Sequence, residues 1–223
     1  MPADGVFDPY EEQNRRFHAF NRGLDQALVR PASKGYSALL PDEAETVVGN
    51  FARNFSQPSV MVNGLLQADV ETVGISFSRF FVNTIFGFGG LLDVATAFEF
   101  EEPDADFGET LHVWGVREGA YLELPFLGPA TEREAFGRLV DLFTNPLSYA
   151  LDSPENGIGT VASAGSRLSD RNRFSDTVDS ILYESADSYA QLRLIYLQNR
   201  RFELGADDPG NDIDPFELDT EGF

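Results

Sequence analysis

Two histidines, His18 and His112, and no cysteine are all the chain offers as soft metal ligands or partners for a nucleophile. A zinc site or a Ser–His–acid triad needs histidine beside specific partners. These two fall on separate predicted elements, His18 on a helix surface and His112 beside the β-prone run LHVWGV. Thiolate sites, disulfides and cysteine catalysis are excluded by composition. GISFS at residues 74–78 lacks the closing glycine of a nucleophile elbow. GFGG at 87–90 lacks the Lys-Ser/Thr of a phosphate loop. The pair Glu101 and Glu102 reads as loop charge, with nothing beside it to make a glycosidase. The expectation is a protein that is not an enzyme and needs no cofactor or metal.

The informative polar residues lie instead inside an apolar stretch, DVETVGISFSRFFVNTIFGFGGLLDVATA, residues 69–97. Asp69 is an N-cap type at the head of a predicted helix. Val70, Val73, Phe77, Phe80, Phe81 and Ile85 recur on one stripe, and Glu71, Ser76, Arg79 and Asn83 lie opposite. Gly87, Gly89 and Gly90 should break the helix, and LLDVA resumes the apolar run around Asp93. Residues 57–97 carry few charges and are the best candidate for lipid contact; the alternative is that they form the core a domain of this size must have.

The elements around this stretch are mostly helical. Asp8, Pro9 and Glu11 read as a capped helix start, followed by Phe17, Phe20, Leu24 and Leu28 at spacings of three or four. That amphipathic helix suits a core or a membrane surface, and Pro31 should end or kink it. A second helix is predicted over 41–55, interrupted by Pro58, then a short buried one over 59–67. Residues 98–109 read as an acidic surface loop and 111–127 as a hairpin made of LHVWGV and AYLELPF. Thr131 and Glu134 form a capping box for the next helix. A short apolar turn or helix follows over 147–151, and 154–165, rich in Gly and Ser, reads as a loop. A long helix over 175–203 with an interruption at Asp187-Ser188 completes the body. One helical domain over 1–205 is expected, with an acidic disordered tail over 206–223.

Composition narrows the partners. The net charge of −21 argues against nucleic acid and against plain adsorption to an anionic leaflet. One Lys stands against fifteen Arg, and the arginine fork suits phosphate, although base composition explains the bias as well. No apolar run reaches the roughly 18–20 residues of a spanning helix, and the start lacks the apolar region of a signal peptide.

Several blocks resemble the MlaA (VacJ) lipoprotein family. The opening matches at Asp8, Pro9, Glu11, Asn14, Arg15, Phe20 and Asn21. Asn50, Phe51, Asn54, Pro58, Val62, Asn63, Leu65, Leu66 and Gln67 follow in register. RFFVNTIFGFGGLLDVA is the most specific block; FGETL, WGV, YLELPFLGP, GRLVD and DSYAQLRLIYLQNRR match later ones. Ala68 stands where the family usually has Gly, and His112, Arg117 and Ala120 also depart from its pattern. The family's acylated cysteine has no counterpart, so the expectation is a mature form with a new Met1 or a homologue anchored differently.

The resemblance implies a mainly α fold, a ring-like arrangement of amphipathic helices with a small β-hairpin and no classical spanning helix. It implies a place in the inner leaflet of the outer membrane, on the periplasmic side, beside a trimeric porin. Family members take phospholipid mislocalised in the outer leaflet through an amphipathic channel and pass it to the soluble periplasmic carrier MlaC. On that reading Phe77, Phe80, Phe81, Ile85, Phe88, Leu91 and Leu92 supply an apolar wall for lipid tails. Arg79, Asn83 and Asp93 border the polar wall, and Gly87, Gly89 and Gly90 either hinge the channel lip or let helices pack closely. A porin-bound structural adaptor without its own lipid path is the alternative; a phospholipase ranks third, because no nucleophile stands out.

Overall fold

The computed structural model describes residues 7–152 and 157–205. The expected acidic tail over 206–223 and the first six residues of the predicted domain fall outside them. Helix α1 (Glu11–Leu24) opens the body and runs through a π-helical turn (Asp25–Val29) into α2 (Arg30–Leu39). Pro31 therefore does not end the helix: it sits in the first turn of α2, where its missing N–H has least to bond. Nor does Asp8 cap α1, which begins after Tyr10. The Asp8 carboxylate accepts instead from Asn14 Nδ2 at 2.9 Å, from the Tyr189 hydroxyl and from Arg193 Nη1 at 2.7 Å. A charged partner holds it more strongly than a backbone N–H would.

Helix α3 (Asp42–Gln67) is continuous over 26 residues, where a break at Pro58 was expected. The lost ladder bond is tolerated because α3 packs against α4 (Val70–Ile85) and against helices later in the chain. Its C-cap, Ala68, has φ +58°, the left-handed region that suits glycine. Ala68→Gly should therefore raise stability by about 1 kcal/mol, read as a higher unfolding midpoint in denaturant.

Two short helices follow, α5 (Val94–Ala97) and α6 (Phe107–Val113). The hairpin joins β1 (Tyr121–Leu124) to β2 (Gly128–Thr131), with Tyr121 opposite Thr131 and Leu124 opposite Gly128. Half of its expected first strand, residues 111–113, ends α6 instead. Asp106 caps that helix through Glu109 N at 2.7 Å, and Thr110 faces Asn63 inside, so local capping and packing override the β-propensity of LHVWGV. The chain ends in α7 (Glu132–Asp141), α8 (Leu147–Ala150), α9 (Ile158–Arg173), α10 (Ser175–Asp179), a second π turn (Ser180–Glu184) and α11 (Ser188–Glu203). Thr131 caps α7 as expected, and Asp187, at the expected interruption, caps α11.

Most of the expected loop over 154–165 is helix. Its small residues serve close packing: a Cβ on Gly159 would lie 2.2 Å from Phe55, and one on Gly165 3.0 Å from the Tyr36 hydroxyl. Elements neighbour one another in a closed circuit. α1 meets β1, β2 meets α7, α7 meets α6, α6 meets α3, α3 meets α9, and α9 meets α2, which returns to α1 through the π turn.

The interior is polar to a degree that a water-solvated domain rarely shows. Its buried apolar residues are mostly alanine, with a small cluster of Tyr121, Tyr189 and Leu197. Buried alongside are Asn14, His18, Asn63, Arg79, Glu123 and Arg133. No phenylalanine among the described residues is buried. His18, expected on a surface, is 5% exposed, 2.9 Å from Ser188 Oγ and 3.7 Å from Glu123. His112 lies on α6, where burial and then Arg133 and Arg200 lower its pKa.

Candidate functional site

Asp69 starts α4 by accepting from the N–H groups of Glu71 and Thr72 at 3.0 and 3.1 Å. The helix so fixed is turned inside out. Its polar stripe, Ser76, Arg79 and Asn83, is buried, while Phe77, Phe81 and Ile85 are 58%, 49% and 55% exposed. Phe77 and Phe81 stack at 6.1 Å, and Phe80 is half-buried. Beyond the helix Phe86, Phe88, Leu91 and Leu92 continue the outward apolar surface.

The three polar candidates come together. Arg79 Nη2 donates to Asp93 Oδ2 at 2.9 Å, and Asn83 Nδ2 to Asp93 Oδ1 at 3.1 Å. Arg79 also donates to the Phe100 carbonyl, and Asn83 Oδ1 accepts from Ala95 N at 2.8 Å. Thr96 completes the set with a 2.6 Å bond from its hydroxyl to Asp93. This cluster pins α5 against α4. Burial pushes the Asp93 carboxyl up, but the bonds from Thr96, Asn83 and Arg79 outweigh it and leave its pKa below the usual range.

The glycine elbow between them is tightly enclosed at two of its three positions. A Cβ on Gly87 would lie 2.2 Å from the Leu92 carbonyl, and one on Gly90, at φ +93°, 2.4 Å from Asn54 Nδ2. Gly89, at φ +77°, borders open space. Asn54 bonds Thr84 at 3.1 Å and Asn50 bonds the Leu91 carbonyl at 3.1 Å, so two asparagines of α3 grip the elbow.

A second feature was not legible beforehand. Around α9 lie an amphipathic cavity of about 570 Å³ and an apolar one of about 400 Å³. Phe55, Asp141, Asn145, Ser163, Arg167 and Leu168 line the first. Tyr36, Val48, Phe51, Val161 and Leu91 line the second, so Leu91, one of the expected apolar-wall residues, meets a cavity. Ile158, Val161, Gly165 and Leu168 at helical spacing were the available signal, masked by the Gly and Ser content.

Acidity acts on this interior with two signs. Burial raises the Glu109 and Asp141 carboxyls despite bonds from Gln67 and from Phe107 N. Burial also pushes Asp25 up, but Arg171, at 2.7 and 2.8 Å, and Tyr183 hold it below the usual range. A raised carboxyl stabilises the fold below its unfolded value and loses that contribution as pH rises; a depressed one loses its contribution as pH falls. The unfolding temperature should therefore rise on acidification from pH 7 and fall again below the ordinary aspartate value of 3.8. Calorimetry in detergent from neutral to acid pH checks this, and a steady fall from neutrality would contradict it.

A helical ring with apolar residues outside and ion pairs inside is the arrangement of a protein solvated by lipid along part of its surface. Among the described residues no helix is long and apolar enough to cross a membrane. The chain belongs to the MlaA lipoprotein family, whose model matches residues 6–203. It is 36% identical over 203 residues to the intermembrane phospholipid transport system lipoprotein MlaA of Escherichia coli (strain K12), covering 89% of this chain and 78% of that one. The Haemophilus influenzae protein of the same name is 29% identical over 205 residues, 88% and 79% of the two chains. A solved structure described as the structural basis for maintenance of bacterial outer membrane lipid asymmetry superposes with a TM-score of 0.74 at 31% identity. It covers 88% of this chain and 98% of the other.

Proposed function

We propose that this protein transports phospholipid at the Gram-negative outer membrane. It lies in the inner leaflet on the periplasmic side, beside a trimeric porin. Phospholipid misplaced in the outer leaflet passes through an amphipathic path in the ring and on to a soluble periplasmic carrier of the MlaC kind. The observation that carries the reading is the inversion of α4, with phenylalanines outside and Arg79, Asn83 and Asp93 within. Lipid solvates the outer face, and a polar interior gives a headgroup somewhere to go. Leu91 joins the elbow to the apolar cavity, and Gly89, open on its outer side, leaves the lip freedom to move. The chain's own residues bind and orient lipid; no bond is made or broken.

Mass spectrometry of an organic extract from the detergent-purified protein tests this, beside an unrelated membrane protein purified in the same way. Near-stoichiometric phospholipid is expected, well above the control, with most of it lost in Leu91→Asp. Phospholipid no higher than in the control would leave an adaptor that is anchored but carries nothing.

A further inference from the structure

Glu45 is a buried carboxylate that makes no ion pair among the described residues. It is 9% exposed, its Oε2 accepts from the Ser169 hydroxyl, and its Oε1 has no hydrogen-bond partner. The Ser37 and Tyr36 hydroxyls close by in α2 are likewise buried and unpartnered. A buried charge left in this condition is costly unless something pairs with it. Ser37, Asp42, Glu45, Ser169, Asn172 and Arg173 line one cavity of about 290 Å³ between α2, α3 and α9. Arg173 is exposed and makes no ion pair among the described residues. The same three helices, with Leu91 of the elbow, line the apolar cavity of about 400 Å³, where Tyr36, next to Ser37 in the chain, stands with Val48 and Val161. The Tyr36 hydroxyl feels both burial and the Glu45 charge, which raise its pKa.

A polar pocket with an unpaired carboxylate and an arginine, set between the same three helices as an apolar pocket, has the order of charges of one ligand class: a zwitterionic lipid bearing a primary ammonium. We propose that Glu45 and Ser37 receive the ammonium of a phosphatidylethanolamine headgroup, Arg173 its phosphodiester, and the neighbouring apolar cavity the start of its acyl chains. This rests on the phospholipid-transport reading and adds a headgroup preference to it. A choline headgroup has the charge but no N–H to donate to Glu45, and a glycerol headgroup has hydroxyls but no charge.

The test is competition. The detergent-purified chain is equilibrated with mixed micelles holding equal amounts of phosphatidylethanolamine, phosphatidylcholine and phosphatidylglycerol, passed over a sizing column, and its retained lipid is quantified. Phosphatidylethanolamine should exceed each of the others by about tenfold, the ratio that one charge-assisted hydrogen bond supplies. Glu45→Gln, close to isosteric, should bring the three toward parity while total retained lipid stays within about twofold. Ser169→Ala, which leaves the carboxylate in place, should keep the preference. Equal retention of the three lipids by the unmodified protein would overturn the headgroup site and leave transport standing, and it needs no variant to fold. A preference unchanged in Glu45→Gln would overturn it as well. No retained lipid of any kind would remove the transport reading and this site together.

Discussion

Replacing Arg79 by methionine is expected to cost about 3–5 kcal/mol of stability, the loss seen when one partner of a buried ion pair is removed. The guanidinium is 3% exposed in its side chain and pairs with Asp93, itself 19% exposed. Methionine fills much of the volume but abandons the Asp93 carboxylate and the Phe100 carbonyl together. Asn83 and Thr96 still bond Asp93, which places the loss toward the lower end of that range. The damage should be local first. Without the clamp α5 parts from α4, and limited proteolysis should cut near the elbow before it cuts α3. The double change Arg79→Met with Asp93→Leu should recover part of the loss, because no charge is then left unpaired. A single variant that unfolds within about 1 kcal/mol of the unmodified chain would show that the cluster does not hold the elbow.

Phe81→Asp combined with Ile85→Asp should abolish binding to phospholipid vesicles. Both side chains are about half exposed on the outward face of α4, with no protein over that half. Each change gives up roughly 1.5–3 kcal/mol of apolar burial in lipid and adds a charge costing about 2.5 kcal/mol or more at depth. The two together weaken partition by well over about a hundredfold. Flotation with vesicles reads this directly: the unmodified chain rises with the lipid and the variant stays at the bottom. Both lie on the exposed face of α4 while Arg79 and Asn83 lie on its buried face, so the circular dichroism spectrum should not change. If the variant still floats, the outward face of α4 is not the face that meets lipid.

Much of this was legible in the residues. The N-caps Asp69 and Thr131, the interruption at Asp187-Ser188, the periodicity of α4 and the family motifs gave the main elements and the membership. The direction in which α4 faces was not legible, because a 3.6-residue stripe says that two faces differ and not which one is inside. Pro58 was misread because tertiary packing on both sides of a helix outweighs a missing backbone bond. Helix α9 was hidden for the opposite reason: its glycines and serines resemble a loop until Phe55 and Tyr36 are known to press against them. The motif asparagines acquire their meaning only in three dimensions, where Asn50 and Asn54 grip the elbow and Asn63 binds Thr110 and Asp141.

The anchoring of Asp8 bears on how the chain is made. Its bonds to Tyr189 and Arg193 span 181 and 185 residues. A ribosome or an export channel releases Asp8 first and the partners of Asp8 almost last. Helices up to α9 can form and pair while synthesis continues, but the seam between Asp8 and α11 stays open until α11 is free. Closure is then a late, long-range step, slow by the ordinary dependence of folding rate on sequence separation. During that interval the outward phenylalanines have neither lipid nor a finished ring to hold them apart, which is when a holding chaperone protects such a chain from aggregation.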